Sequence, residues 1–277
     1  IVISEQDGKT SNLGNYADCL QGLSTGEKNR FERLFWEVSF LGTDWEPLHE
    51  TATGHNLYGG MQAVIFWEQE NGQLAKLAEQ LKHLNHAVQS WRRGKPYWGK
   101  PGITINRMGS LSRAIYLGNK FSADVGVISP KRPEHLLPIA AFVFSDQFLP
   151  LVRSIYQKPE VPPSYLVNLP FDFDYWAGVA SKTYPNGLPK PYSDDPTQWL
   201  FHGHPQPSTH PLQVAIARLA GYRWPAESDP DMELSDEART WIDRSALLND
   251  HSDDDGILCL PSVRGELPAH DRLLKLL

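Results

Sequence analysis

Residues 102–130 read GITINRMGSLSRAIYLGNKFSADVGVISP. Ile103 and Ile105, and further on Ile115 and Leu117, lie two residues apart on either side of a Met108-Gly109-Ser110 turn. A spacing of two places both members of a pair on one face of a strand, so this stretch reads as two strands around a small-residue turn. Val125 to Ile128 reads as a third strand. Pro130 ends it, because proline has no N–H to give to a ladder. Helical patterns on both sides make the expected fold α+β, a mixed sheet with flanking helices.

Upstream, Ala63 to Trp67 reads as a short buried strand after a Tyr58-Gly59-Gly60 turn. Leu74, Leu77, Leu81, Leu84 and Val88 are spaced by three and four, which predicts one amphipathic helix of roughly four turns over Gln73 to Val88. Ile1 to Ile3 is strand-like and Tyr16 to Leu20 helical. Gly22 to Phe31, GLSTGEKNRF, is a loop whose glycines allow exposed N–H groups of the kind that hold an anion, although it lacks the Walker spacing. Downstream, Leu136 to Ile155 predicts a helix broken near Ser145, Tyr165 to Leu169 a strand, and Asp174 to Ala180 the start of a further helix. Tyr184 to Pro211 is a connector with seven prolines. Short helices are expected at Leu212 to Leu219 and Pro268 to Leu277. The expected division is 1–175 for the sheet domain and 176–277 for a mainly helical, loop-rich part.

Charge is distributed unevenly. Gln80 to Ala123 holds Lys82, Arg92, Arg93, Lys95, Lys100, Arg107, Arg113 and Lys120 and no acidic residue, leaving 18 basic residues against all 33 acidic ones elsewhere. A local positive field on an acidic chain points to a polyanionic partner. Trp91, Tyr97 and Trp98 supply flat faces, and Asn85, Gln89, Asn106 and Ser110 supply hydrogen-bonding groups. By charge and turn placement, Arg92, Arg93, Lys95 and Lys100 are candidate phosphate contacts, and Arg107, Ser110 and Arg113 candidates near the bases, with Lys120 in the same DNA-binding set. The alternative for either of Arg107 and Arg113 is an ion pair within the fold; the surrounding charge gives the DNA role the edge. Ala226 to Gly256 carries eleven acidic residues against Arg239 and Arg244, a segment suited to water or a basic partner.

At 277 residues the chain can bury a substantial core. No run of eighteen apolar residues occurs, so no membrane span is expected. Two cysteines far apart, Cys19 and Cys259, point to a reducing cytoplasm. The chain begins at Ile1 without an initiator Met and reads as part of a longer polypeptide. His202, His204 and His210, near Asp194 and Asp195, are ligand types for zinc or manganese but lie in a Pro-rich loop without a rigid frame, so no metal site is assigned. The chain contains no G-x-S-x-G, no H-E-x-x-H and no G-x-G-x-x-G after a strand, and no catalytic residue is assigned.

Four ordered segments together carry a resemblance: GLSTGEKNRF–LFWEV at Gly22 to Val38, YGGMQAVIFWE at Tyr58 to Glu68, Trp98 to Pro130, and YLVNLPFD at Tyr165 to Asp172. They resemble the region after the methyltransferase core in type IIG restriction-modification enzymes and in the adenine methylases of the BREX and DISARM phage-defence systems. YPNGLPKPYSDDPTQWLFHGHP and PLQVAIARLAGYRWP are similar to the DISARM type in particular. The resemblance implies a target-recognition region of an N6-adenine DNA methyltransferase, with double-stranded DNA, the methyltransferase domain and other defence-system subunits as partners. The Asn/Asp-Pro-Pro-Tyr/Phe tetrapeptide of that family is absent here, so S-adenosylmethionine and the catalysis are expected outside this chain. Two alternatives remain: a module docking other subunits through the acidic segment, and a metal-dependent hydrolase built on the three histidines.

Overall fold

The computed structural model describes residues 11–38, 44–52 and 57–190, with short stretches and single positions from 192 onward, among them 246–251 and 267–276. The strands, in chain order, are β1 (Ala17–Gln21), β2 (Glu32–Leu34), β3 (Trp45–His49), β4 (Ala63–Phe66), β5 (Gly102–Asn106), β6 (Arg113–Tyr116), β7 (Lys120–Phe121), β8 (Val125–Pro130), β9 (Tyr192–Ser193) and β10 (Glu233–Leu234). The helices are α1 (Lys28–Phe31), α2 (Gln73–Gln80), α3 (Leu136–Val143), α4 (Phe148–Ile155), α5 (Pro163–Leu166), α6 (Phe173–Thr183) and α7 (Ala269–Leu276). The fold is α+β, as the sequence leads one to expect.

The chain forms two units, each drawn from separated stretches. The first unit comprises Ile1–Ser24, Glu50–Leu57 and Arg92–Pro189. Its centre is an antiparallel sheet in the order β1-β8-β5-β6. Cys19, Ile128 and Ile103 face one another across three strands. Residues opposite in an antiparallel ladder share a face, so this row and Ile105 point the same way. They join a core with Ile139, Phe142 and Val143 of α3, Phe148 and Val152 of α4, and Trp176 and Ala180 of α6. Val125 and Val127 point to the opposite face, where Tyr97, Tyr116 and Phe121 cover them. Because both faces are covered, β8 is buried over Val125 to Ser129 and β5 over Gly102 to Ile105. That explains their nearly continuous apolar text.

The helical hairpin follows the prolines. Pro138 and Pro150 both sit within the first turn of their helices, where a missing N–H costs no intrahelical bond. Asp172 caps α6 by accepting from Tyr175 N at 3.0 Å. Among the described residues no single helix is long and apolar enough to cross a membrane.

Three sequence expectations are corrected. Tyr16 to Leu20 is not helical: Ala17 and Cys19 are buried while Asp18 and Leu20 are exposed, a period of two that β8 completes as a strand pairing. The four-turn helix stops at Gln80, and Val88 belongs to a separate 3-10 turn over Ala87–Ser90 capped by His86 Nδ1. The three-and-four spacing runs on because Val88 is buried again after the chain has turned. Tyr165 to Leu169 is not a strand, since Pro163 starts the single helical turn α5.

The second unit comprises Thr25–His49, Tyr58–Trp91 and Lys190–Leu277. Here β4 lies antiparallel between β2 and β3, with Ala63 opposite both Leu34 and Leu48. The expected strand at Ala63 to Trp67 and the C-terminal helix are both present. The Ile1 to Ile3 strand and the Leu212 to Leu219 helix fall outside the described residues.

Candidate nucleic-acid interface

Seven of the eight basic residues of the acid-free window lie in the first unit; Lys82 lies in the second. Five of the seven, Arg92, Arg93, Lys95, Lys100 and Lys120, are carried by two loops that roof the outer face of the sheet, residues 92–101 and 117–123, whereas Arg107 follows β5 and Arg113 opens β6. Tyr97 and Phe121 are the inward anchors, packed on Tyr116, Val125 and Val127. Close packing of the roof requires glycine at two points. Gly94 has φ +88°, and a Cβ there would come within 2.5 Å of the Phe121 ring. Gly118 has φ +95°, and its carbonyl accepts from Gly99 N at 2.7 Å. With its aromatic residues turned inward, the roof leaves Arg92, Arg93, Lys95 and Lys100 exposed. Lys120 is half-buried, its ammonium 5.1 Å from the centre of the Trp98 ring.

The roof joins the sheet through a chain of hydrogen bonds. Arg93 Nη1 donates to Gln21 Oε1 at 2.9 Å, and Gln21 Nε2 donates to the Ala123 carbonyl at 2.9 Å. The same carbonyl accepts from Arg107 Nη1 at 2.7 Å, and Arg107 Nη2 is paired with Glu160. Arg93 and Arg107 are therefore fixed at one end of the sheet. Burial pushes the Tyr97 and Tyr116 phenols up, for Tyr97 with the added influence of the nearby Asp18 carboxylate. Both remain neutral anchors under the roof. Asp18 itself lies 3.6 Å from Lys131.

The two arginines expected near the bases occupy places inside the fold. Arg107 braces the start of the β5–β6 connection against Ala123 and Glu160. Arg113 shares a row with Ile105 and so points toward the helices, where Nη1 donates to Val143 O at 2.7 Å and Ser145 O at 3.4 Å. Its guanidinium also lies 5.6 Å from the Phe148 ring. Burial lowers its pKa, partly offset by Asp146. Ser110 is exposed at the turn, 3.2 Å from Ser112 Oγ.

Charge patterning overlooked Arg153, which holds the same turn. Its Nη2 donates to Gly109 O at 2.7 Å and Pro159 O at 3.2 Å, and its Nη1 donates to Lys158 O. The only sequence signal was a basic residue near the end of an apolar helix, a common place for a cation that meets carbonyls.

The Gly22 to Phe31 loop uses its N–H groups internally at its start: Gly22 N donates to Val125 O at 3.2 Å and Leu23 N to Phe121 O at 2.8 Å. The histidine cluster and most of the acidic segment lie outside the described residues. Among the described residues no group of three or more His, Cys, Asp or Glu could hold a metal ion. What the roof offers chemically is a set of cations on a braced support, suited to an anionic surface. No protein-family model and no curated protein matches the chain.

Proposed function

We propose that this chain reads duplex DNA for a site-specific N6-adenine DNA methyltransferase of a restriction or phage-defence system. One observation carries the proposal: Arg92, Arg93, Lys95 and Lys100 stand exposed on one roof, within a window of sequence that holds no carboxylate. Such cations neutralise phosphates and release counterions, giving an affinity that falls with salt. The ordered resemblance to target-recognition regions supplies the substrate class. Arg107 and Arg113 act by positioning the turn and α3, and Ser110 is the group of the original set that is available to a base edge. S-adenosylmethionine and the catalytic residues belong to a partner methyltransferase domain, which acts on a base taken out of the stack.

The test is selection of a duplex library by the purified chain at two salt concentrations, with sequencing of the bound fraction. The expected result is an enriched motif and weaker binding at the higher salt. Binding without enrichment overturns sequence reading by this chain alone. No binding at low salt overturns the DNA role and favours a module that docks other subunits.

A further inference from the structure

The β5–β6 turn places an apolar side chain at a braced, exposed tip. Met108 is 63% exposed, and Gly109 and Ser110 beside it are exposed as well. A Cβ built on Gly109 would meet nothing within 4 Å, so the tip is open on that side. The backbone behind it is held from several directions. Asn106 N donates to Ser112 O at 2.8 Å and Leu111 N to Met108 O at 3.3 Å. Arg153 grips Gly109 O, and Arg107 grips Ala123 O and Glu160.

Leu111 marks how firmly the turn is fixed. It is fully buried, yet its φ is +51°, a conformation that costs a residue with a Cβ on the order of 1 kcal/mol or more. Surrounding contacts hold it there, while Met108, on the other side of the turn, is exposed.

Taking the DNA-reading proposal as given, we propose that Met108 is a wedge that enters between adjacent base pairs and unstacks them. Three observations favour this. First, the tip and Arg93 lie at the same end of the sheet, joined through Gln21, Ala123 and Arg107. Cations on the phosphates would therefore bring Met108 to the grooves. Second, a braced turn loses little conformational freedom on insertion, so the apolar contact is not spent on ordering the loop. Third, methionine is unbranched and polarizable, able to fit an irregular gap, and belongs to the apolar residue types that pry base steps apart. Lys158, exposed next to the Arg153 contacts, adds a cation beside the tip, whereas Asp124 is an exposed acid at the same end. The partner is thus duplex DNA that is kinked at one step, with flexible pyrimidine–purine steps the easiest to open.

The test is closure of a nicked plasmid by DNA ligase in the presence of the chain, with the topoisomers separated after protein removal. Wild type and Met108→Leu are expected to lower the mean linking number. Met108→Ala is expected to lose that shift and about tenfold in affinity, with the salt slope retained because no charge is removed. Salt-dependent binding without a shift in the wild type, or a shift that Met108→Ala preserves, overturns the wedge and leaves DNA reading standing. Absence of any salt-dependent binding by the wild type overturns both.

Discussion

Arg113 Nη1 donates to the carbonyl oxygen of Val143 at 2.7 Å, so a strand residue closes the C-terminus of a helix that follows it by thirty positions. Val143 O is the last carbonyl of α3, at the negative end of the helix dipole, and the half-buried guanidinium supplies it with both a donor and a positive charge. Arg113→Ala is expected to destabilise the chain by about 2–3 kcal/mol in urea unfolding, and Arg113→Lys by roughly half as much. Where Arg113→Ala is still folded, its DNA affinity should stay within about twofold of wild type. A larger loss would show direct contact with DNA.

Arg107 is a second internal brace. Arg107→Ala leaves the Ala123 carbonyl and Glu160 without this donor, for an expected loss of about 1–3 kcal/mol. Because the brace sits behind the β5–β6 turn, hydrogen exchange at Asn106 and Leu111, whose N–H groups donate to Ser112 O and Met108 O, should quicken more than exchange in β8.

The exposed cations should separate from the braces in their salt response. Each phosphate contact contributes about 0.9 to the slope of log affinity against log salt. Lys95→Ala with Lys100→Ala should therefore flatten the slope by about 2 and leave the urea midpoint nearly unchanged. An unaltered slope would remove both lysines from the interface.

Gly94→Ala tests the roof. A Cβ at this position is strained by φ +88° and presses on the Phe121 ring. The expected cost is about 2 kcal/mol or more in thermal or urea unfolding, with a rise in Trp emission wavelength as Trp98 gains water.

Cys19 gives a pH signature. Burial, with Asp18 adding to it, pushes the thiol up, so the folded chain holds its proton more tightly than the unfolded chain does. A group raised in the folded state contributes fully below the unfolded pKa and loses that contribution as pH rises. The loss begins above about pH 9 at about 1.4 kcal/mol per pH unit. Between about pH 9 and 10, Cys19→Ala should lose less stability than wild type. Equal slopes in urea titrations would show that the thiol is not protected.

Much of the fold can be read from local pattern. Ile103, Ile105 and Val125 to Ile128 declare strands by composition and punctuation, and Pro138 and Pro150 fix where α3 and α4 start. Local pattern misleads where it is ambiguous over a few residues. Leu84 and Val88 continue a helical spacing although the chain has already turned at Leu81. Ala17 to Gln21 carries a two-residue alternation too short to outweigh a helical reading until β8 is beside it.

The site divides the same way. The sequence by itself determined that one window is basic and free of carboxylates, because charge is a property of composition. It also placed glycine at the points where the roof must turn. Which of those cations face water was decided by tertiary structure alone. Arg107 and Arg113 flank one turn in the sequence, but the strand register points Arg113 at the end of α3, and the β7–β8 connection brings Ala123 to Arg107. Arg153 reaches Gly109 across forty-four positions, a relation no local pattern encodes. Side-chain direction follows from register and packing, so a basic residue becomes a brace or a surface cation only after the sheet has formed.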